Sequence, residues 1–217
     1  MTKYSGVIFD LDGTLVYTIE DIGDSMNEVL KIYNLDTFSY EEYKQKIGRG
    51  LRRLVINSFP EDTIESTIDE ALETLYKVYA KKYLNKSKPY DGIRDLLCIL
   101  NKKGLKLAVN SNKKDEYTKN IINKFFDNIP FTNIYGEREG IPNKPNPTST
   151  LEIAKNMNLE PSEILFIGDS EVDILTATNA NMDSVGVLWG FRDYDVLKKS
   201  GAKYMVSDWK EILDIIE

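Results

Sequence analysis

The sequence predicts an α/β fold, a Rossmann-like parallel sheet with helices on both faces, interrupted early by an all-helical insert. Three observations carry this. Val7-Ile8-Phe9 is a short continuous apolar run, which suits a strand buried on both faces. Residues 17–88 read as helix after helix with no strand between them. From residue 89 onward strand and helix patterns alternate, as a parallel sheet with crossover helices requires. The expected division is therefore a core built from residues 1–16 and 89–217 and a helical cap from residues 17–88.

The first strand stops abruptly at Asp10, and Gly13 allows a tight turn after Asp12. Ile22, Met26, Val29, Leu30 and Tyr33 recur at helical spacing and predict a helix over 18–33. A short helix is expected over 40–47, ended by a left-handed Gly48. Another spans 51–59, stopped by Pro60. Ile64, Ile68, Leu72, Leu75, Val78 and Tyr79 form one stripe of a long helix expected to run from about 63 to 84. Residues 86–89 return the chain to the core. There, 93–103 is helix, capped by Gly104. Residues 105–109 form a strand ending at Asn110-Ser111-Asn112, followed by a helix over 117–126 and a weak strand over 131–134. A loop with three prolines spans 142–147, and Pro147 can open the next helix, to about Met157. Then come a strand over 164–167, a helix over 172–179, a strand over 184–188, a short helix over 196–199, an edge strand over 204–206 and a closing helix over 209–216.

A net charge of −7 and a pI near 4.9 argue against a nucleic-acid surface or an anionic membrane as partner. Nothing approaches the roughly 20 consecutive apolar residues of a membrane helix, and the first strand begins too early to leave room for a signal peptide. A cytoplasmic protein is expected, as a monomer or homodimer. With no histidine, acid–base work falls to carboxylates, lysine or tyrosine. Cys98, the single cysteine, sits on an apolar helix face and is expected to be a buried structural thiol.

Ligands of open parallel sheets sit beyond the carboxyl ends of the strands. Three expected strands end in polar residues that can share that rim. The first delivers Asp10 and Asp12, two residues apart and so on one face if the chain stays extended. Two acids this close repel, and a cation or a held proton must compensate. The second strand delivers Ser111 and Asn112; the third delivers Asp169, with Asp173 four residues on. Lys144 lies in the proline-rich loop. Several acids, one hydroxyl and one cation suit phosphoryl transfer with Mg²⁺, a hard ion that takes oxygen ligands. Asp10 and Asp169 can supply them. A carboxylate can also attack phosphorus and divide one hard step into two. Lys144 and the metal would offset the charge of the transferring group, while Ser111 and backbone N–H groups near Gly13 donate to its oxygens. Taken singly, Asp173 is an ordinary helix N-terminal acid, Ser111 a turn residue and Lys144 a surface charge.

Asp10-Leu11-Asp12-Gly13-Thr14-Leu15, Asn110-Ser111-Asn112-Lys113, Lys144-Pro145-Asn146-Pro147 and Gly168-Asp169-Ser170-Glu171-Val172-Asp173 resemble, in order, the four motifs of the haloacid dehalogenase superfamily of phosphohydrolases. The helical insert lies where members with a cap after the first strand carry theirs. The resemblance implies that Asp10 is the nucleophile, and that Asp12 protonates the leaving oxygen and later activates water. The Asp12 backbone carbonyl would join the Asp10 and Asp169 carboxylates around Mg²⁺. Ser111 would bind the phosphoryl group, Lys144 would neutralise it, and Asp173 would orient Lys144 or a metal-bound water. Asp12 is present, whereas the dehalogenase and phosphonatase branches lack that acid, so a phosphate ester or anhydride is favoured.

Within the superfamily the chain is similar to the phosphoglycolate phosphatase-like group. Tyr17-Thr18-Ile19-Glu20-Asp21-Ile22, Trp189-Gly190-Phe191 and Asn179-Ala180-Asn181-Met182 carry that similarity, although Tyr17 and Asn181 replace the usual Asp and Gly. The leading expectation is a Mg²⁺-dependent phosphatase of a small phosphorylated metabolite such as 2-phosphoglycolate. Rival readings are a pyrophosphatase or 5'-nucleotidase, a β-phosphoglucomutase-like phosphomutase, and a non-catalytic binding protein. Gly48-Arg49-Gly50 lies between two cap helices, where Arg49 can bind a substrate carboxylate or second phosphate, as can Arg52 or Arg53.

Overall fold

The computed structural model describes residues 3–217. Six parallel strands form one sheet in the order β5-β4-β1-β6-β7-β8, where β1 is Gly6–Phe9, β4 Lys106–Lys114, β5 Phe131–Glu137, β6 Ile164–Gly168, β7 Asp183–Val187 and β8 Tyr204–Val206. β1 is central because its residues are buried throughout and can face protein on both sides. Side chains alternate across it. Val7 and Phe9 join an apolar cluster with Leu107, Val109, Leu165 and Ile167. Ile8 points the other way, into a cluster with Ala108, Phe166 and Ile153. Helices α5 (Ile93–Lys102), α6 (Asp115–Phe126) and α10 (Lys210–Ile216) cover the first face; α7 (Thr148–Met157) and α8 (Glu171–Asn179) cover the second. A short α9, Tyr194–Lys199, precedes β8.

Phe9 lies level with Val109 on one side and Ile167 on the other. β1 and β6 therefore end at neighbouring points, and β4 carries Asn110-Ser111-Asn112 past them at the carboxyl end of the sheet, the place where such sheets bind ligands.

Four helices occupy the early insert: α1 (Ile19–Ile32), α2 (Tyr40–Lys46), α3 (Leu51–Ser58) and α4 (Glu65–Tyr79). They bury an apolar cluster that includes Met26, Leu30, Tyr43, Leu54, Val55 and Leu75. Tyr117 and Phe191, from the sheet side, join the same cluster. A two-stranded antiparallel ribbon, β2 (Val16–Tyr17) with β3 (Lys88–Pro89), ties the start of the helical segment to its end.

Several boundaries differ from the sequence expectation. The apolar stripe suggested that α4 continues to Leu84, but the helix ends at Tyr79 and residues 80–84 form turns. Residue 47 is already extended and Gly48 has φ +111, so α2 closes without a left-handed glycine cap. Pro147 flanks α7 instead of opening it. β4 runs on through Asn110-Ser111-Asn112 to Lys114 because it continues to pair irregularly with β5. Cys98 is only half-buried, which corrects the buried-thiol expectation. Gly104, with φ +83, does end α5, and the Leu105 N–H reaches back to the Leu100 carbonyl.

Candidate active site

Asp10, Asp12, Ser111, Lys113, Lys144 and Asp169 line one cavity above the sheet edge. Ile22, Ile47, Leu51 and Leu54 of the helical segment, with Phe191, supply its apolar wall.

Lys144 is the hub. Its Nζ donates to one carboxylate oxygen of Asp10 and one of Asp173, each at 2.7 Å, and its side chain is 3% exposed. The other Asp173 oxygen accepts the Ser170 N–H and hydroxyl at the start of α8, at 3.1 and 2.6 Å. Asp173 is thus held at both ends, and it holds Lys144. Asp169 accepts the Phe191 N–H at 2.7 Å and the Thr14 hydroxyl at 3.3 Å. The turn carrying Gly190 can press this close only without a side chain, since a Cβ there would stand 2.2 Å from Asp169.

One oxygen each of Asp10, Asp169 and Asp173 lies within 4.8 Å of the others, and all three residues are buried. Burial raises the Asp10 carboxyl to about 7; Lys144 opposes the shift, while Asp173 and Asp12 add to it. Asp169 is pushed well above the ordinary carboxylate range, first by burial and then by the charges of Asp173 and Asp10. Burial works against the Lys144 cation, but Asp10 and Asp173 outweigh it and raise the amine above its ordinary value. Three crowded buried acids with one lysine among them are the chemistry of a hard-cation site, with oxygen donors only.

The Asp12 carboxylate is not one of this trio. Its oxygens accept the Lys113 amine at 2.8 and 2.9 Å, and Oδ1 also accepts the Thr18 hydroxyl at 2.6 Å. Asp173, expected only to support the site, supplies the third carboxylate of the trio. Ser111 lines the cavity, and its oxygen accepts the Lys113 N–H at 3.1 Å, leaving its own proton for a ligand.

Of three further residues expected to touch a ligand, Asn112 lines the cavity, whereas Gly13 and Arg49 do not. The Asn112 side chain braces backbone: it donates to the Gly48 and Lys144 carbonyls and accepts the Lys144 N–H. The Gly13 N–H donates to Val16, and what Gly13 provides is close approach, because a Cβ would meet an Asp169 oxygen at 2.3 Å. Arg49 is about half-exposed, lies outside the cavity wall and stands 4.0 Å from Glu171. Arg52 pairs with Asp69 and Glu65 on the surface.

The arginine that does line the cavity is Arg192. It donates to Glu171 at 3.0 Å, to the Ile47 carbonyl at 2.9 Å and to the Lys44 carbonyl, so it joins the sheet side to the end of α2. Sequence reasoning assigned no role to Lys113, Thr18 or Arg192. Lys113 had a signal: it lies two residues past Ser111 on an extended strand, as Asp12 lies two past Asp10.

The sequence model of the haloacid dehalogenase-like hydrolases matches residues 7–187, most of the chain. The chain belongs to the haloacid dehalogenase-like hydrolases. Among its relatives in this family is a phosphoglycolate phosphatase of Aquifex aeolicus, 32% identical and aligned over 85% of each chain. Another, from Psychrobacter arcticus, is 27% identical over 97% of this chain and 94% of its own. A crystal structure from Lactobacillus delbrueckii subsp. bulgaricus, assigned as a phosphoglycolate phosphatase, superposes with a TM-score of 0.93 at 32% identity and covers 99% of both chains. The haloacid dehalogenase-like fold is thus shared from end to end. Among the described residues no helix is long and apolar enough to cross a membrane.

Proposed function

We propose that this hydrolase removes phosphate from a small phosphorylated metabolite, with 2-phosphoglycolate the leading candidate. A carboxylate oxygen of Asp10 attacks phosphorus and the bond to the leaving oxygen breaks. Asp12 gives that oxygen its proton, so an alcohol leaves and an aspartyl-phosphate remains on Asp10. Water then attacks the same phosphorus, passes a proton to the Asp12 carboxylate and frees Asp10 and inorganic phosphate. Lys144 offsets charge on the transferring group, and the Ser111 hydroxyl donates to one of its oxygens.

Asp10 and Asp169 would hold Mg²⁺, with Asp173 beside them and the Asp12 backbone carbonyl as a further donor. When bound, the ion offsets charge on the phosphoryl oxygens. Residues 17–88 act as a cap whose apolar wall excludes water from the reacting centre. The observation that carries the reading is the convergence of Asp10, Ser111, Lys144 and Asp169, from distant parts of the chain, on one cavity. Two relatives of high coverage bear the phosphoglycolate phosphatase name, which supports that substrate above pyrophosphate, nucleotides or a sugar-phosphate transfer. Phosphate release across a panel of phosphorylated metabolites, with and without Mg²⁺, tests it. Release from 2-phosphoglycolate that needs the metal is expected; no release from any phosphate ester would refute the proposal.

A further inference from the structure

We propose that Lys113 is the positioning residue for Asp12, fixing the side chain that takes a proton from water and, in its acid form, delivers one to the leaving oxygen. The proposal rests on the role given to Asp12 above. The Lys113 Nζ contacts both oxygens of Asp12, at 2.8 and 2.9 Å, and the Thr18 hydroxyl takes Oδ1 from the other direction. An aspartate at the end of a strand, facing an open cavity, otherwise has several rotamers available. The two-oxygen contact removes that freedom.

Stability alone does not account for the pair, because a buried ion pair adds little net stability over an apolar packing of the same size. Its surroundings are built to keep the amine in place. The Lys113 side chain is 2% exposed, and its amine lies 5.1 Å from the ring centroid of Tyr79 on α4. The backbone N–H of Lys113 holds the Ser111 oxygen at 3.1 Å. One residue therefore orients the phosphate-binding hydroxyl through its main chain and the proton-donating acid through its side chain. Its neighbours Thr18 and Tyr79 flank the helical insert, so the acid is held where that insert meets the sheet.

The test uses the dependence on leaving group. p-Nitrophenolate departs without a proton, whereas the alkoxides of ethyl phosphate and 2-phosphoglycolate require one. In Lys113→Met, rapid mixing with p-nitrophenyl phosphate should show a first-turnover burst within about threefold of wild type. The first turnover of ethyl phosphate and of 2-phosphoglycolate should each slow by about 100-fold, the scale set by misplacing a general acid. Lys113→Arg should recover part of that loss, and Lys113→Met should add little to Asp12→Asn. Lys113→Gln serves if the methionine variant does not fold. An equal loss on all three substrates, burst included, would overturn the proposal in favour of a structural role. A loss confined to 2-phosphoglycolate would overturn it in favour of substrate-charge recognition. If Asp12→Asn itself leaves ethyl phosphate turnover intact, the role of Asp12 fails first, and the proposal fails with it.

Discussion

Stripping divalent cations from this protein should make its stability fall as pH rises through the neutral range. The cause is the carboxylate trio. Burial raises Asp10 from an ordinary 3.8 to about 7 in the folded state. Between those values the folded protein holds a proton that the unfolded chain has released. Folded-state stability then declines with pH, because the slope follows protons bound unfolded minus protons bound folded, a negative quantity here. Across the window from about pH 5 to about pH 7.5, Asp10 alone accounts for a loss of about 2 to 3 kcal/mol. Asp169 is shifted in the same direction and adds to the loss. Acids that are lowered in the fold do not disturb this window. Asp183, held down to about 2, contributes stability that is already complete above its ordinary value and is lost only in stronger acid. No histidine titrates there either.

Urea unfolding in EDTA at several pH values across this window measures the effect. A parallel series in excess Mg²⁺ should show the decline abolished, since bound metal requires the ionised carboxylates and its stabilisation grows with pH. A metal-free stability that is flat or rises from about pH 5 to about pH 7.5 would refute the argument that these acids are buried together without sufficient compensation.

Asp10→Asn should abolish phosphate release while the far-ultraviolet circular dichroism and cooperative melting persist, since Lys144 keeps Asp173 as partner. Gly190→Ala should weaken Mg²⁺ binding by about tenfold or more by displacing Asp169, which a Cβ would approach to 2.2 Å; titration calorimetry reads this. Arg192→Leu removes bonds to the Lys44 and Ile47 carbonyls. At about 1.5–3 kcal/mol for a charged hydrogen bond, hydrogen exchange across residues 44–50 should speed by at least tenfold and KM should rise. Arg49→Ala, changing a half-exposed side chain outside the cavity, should leave kcat/KM within about twofold.

The architecture was legible wherever local periodicity carries it. The apolar run at 7–9 and the alternation after residue 89 specify a parallel sheet, and the strand-end rule brings Asp10, Ser111 and Asp169 to one edge. Local pattern failed where pairing decides. Two-residue strands such as β2 and β3 are too short for any period to appear, and they exist because the insert's two ends meet. β4 continues through polar residues that read as a loop because β5 lies alongside to pair with them. Arg192 reaches the Lys44 and Ile47 carbonyls at the end of α2 across 145 residues or more, and nothing near it in the chain marks that partner.

The first motif posed a question of charge: two acids two residues apart must be compensated. The structure answers it with two lysines instead of one shared cation. Lys144 takes Asp10 and ties it to Asp173; Lys113 takes Asp12 and ties it to the strand that carries Ser111. The two acids also differ in company: Asp10 belongs to the trio and Asp12 does not. Identical side chains on one strand end thereby acquire different surroundings, and the chemistry proposed for them requires that difference. An attacking carboxylate must face phosphorus and metal, while a proton carrier must stay clear of both and face the leaving oxygen.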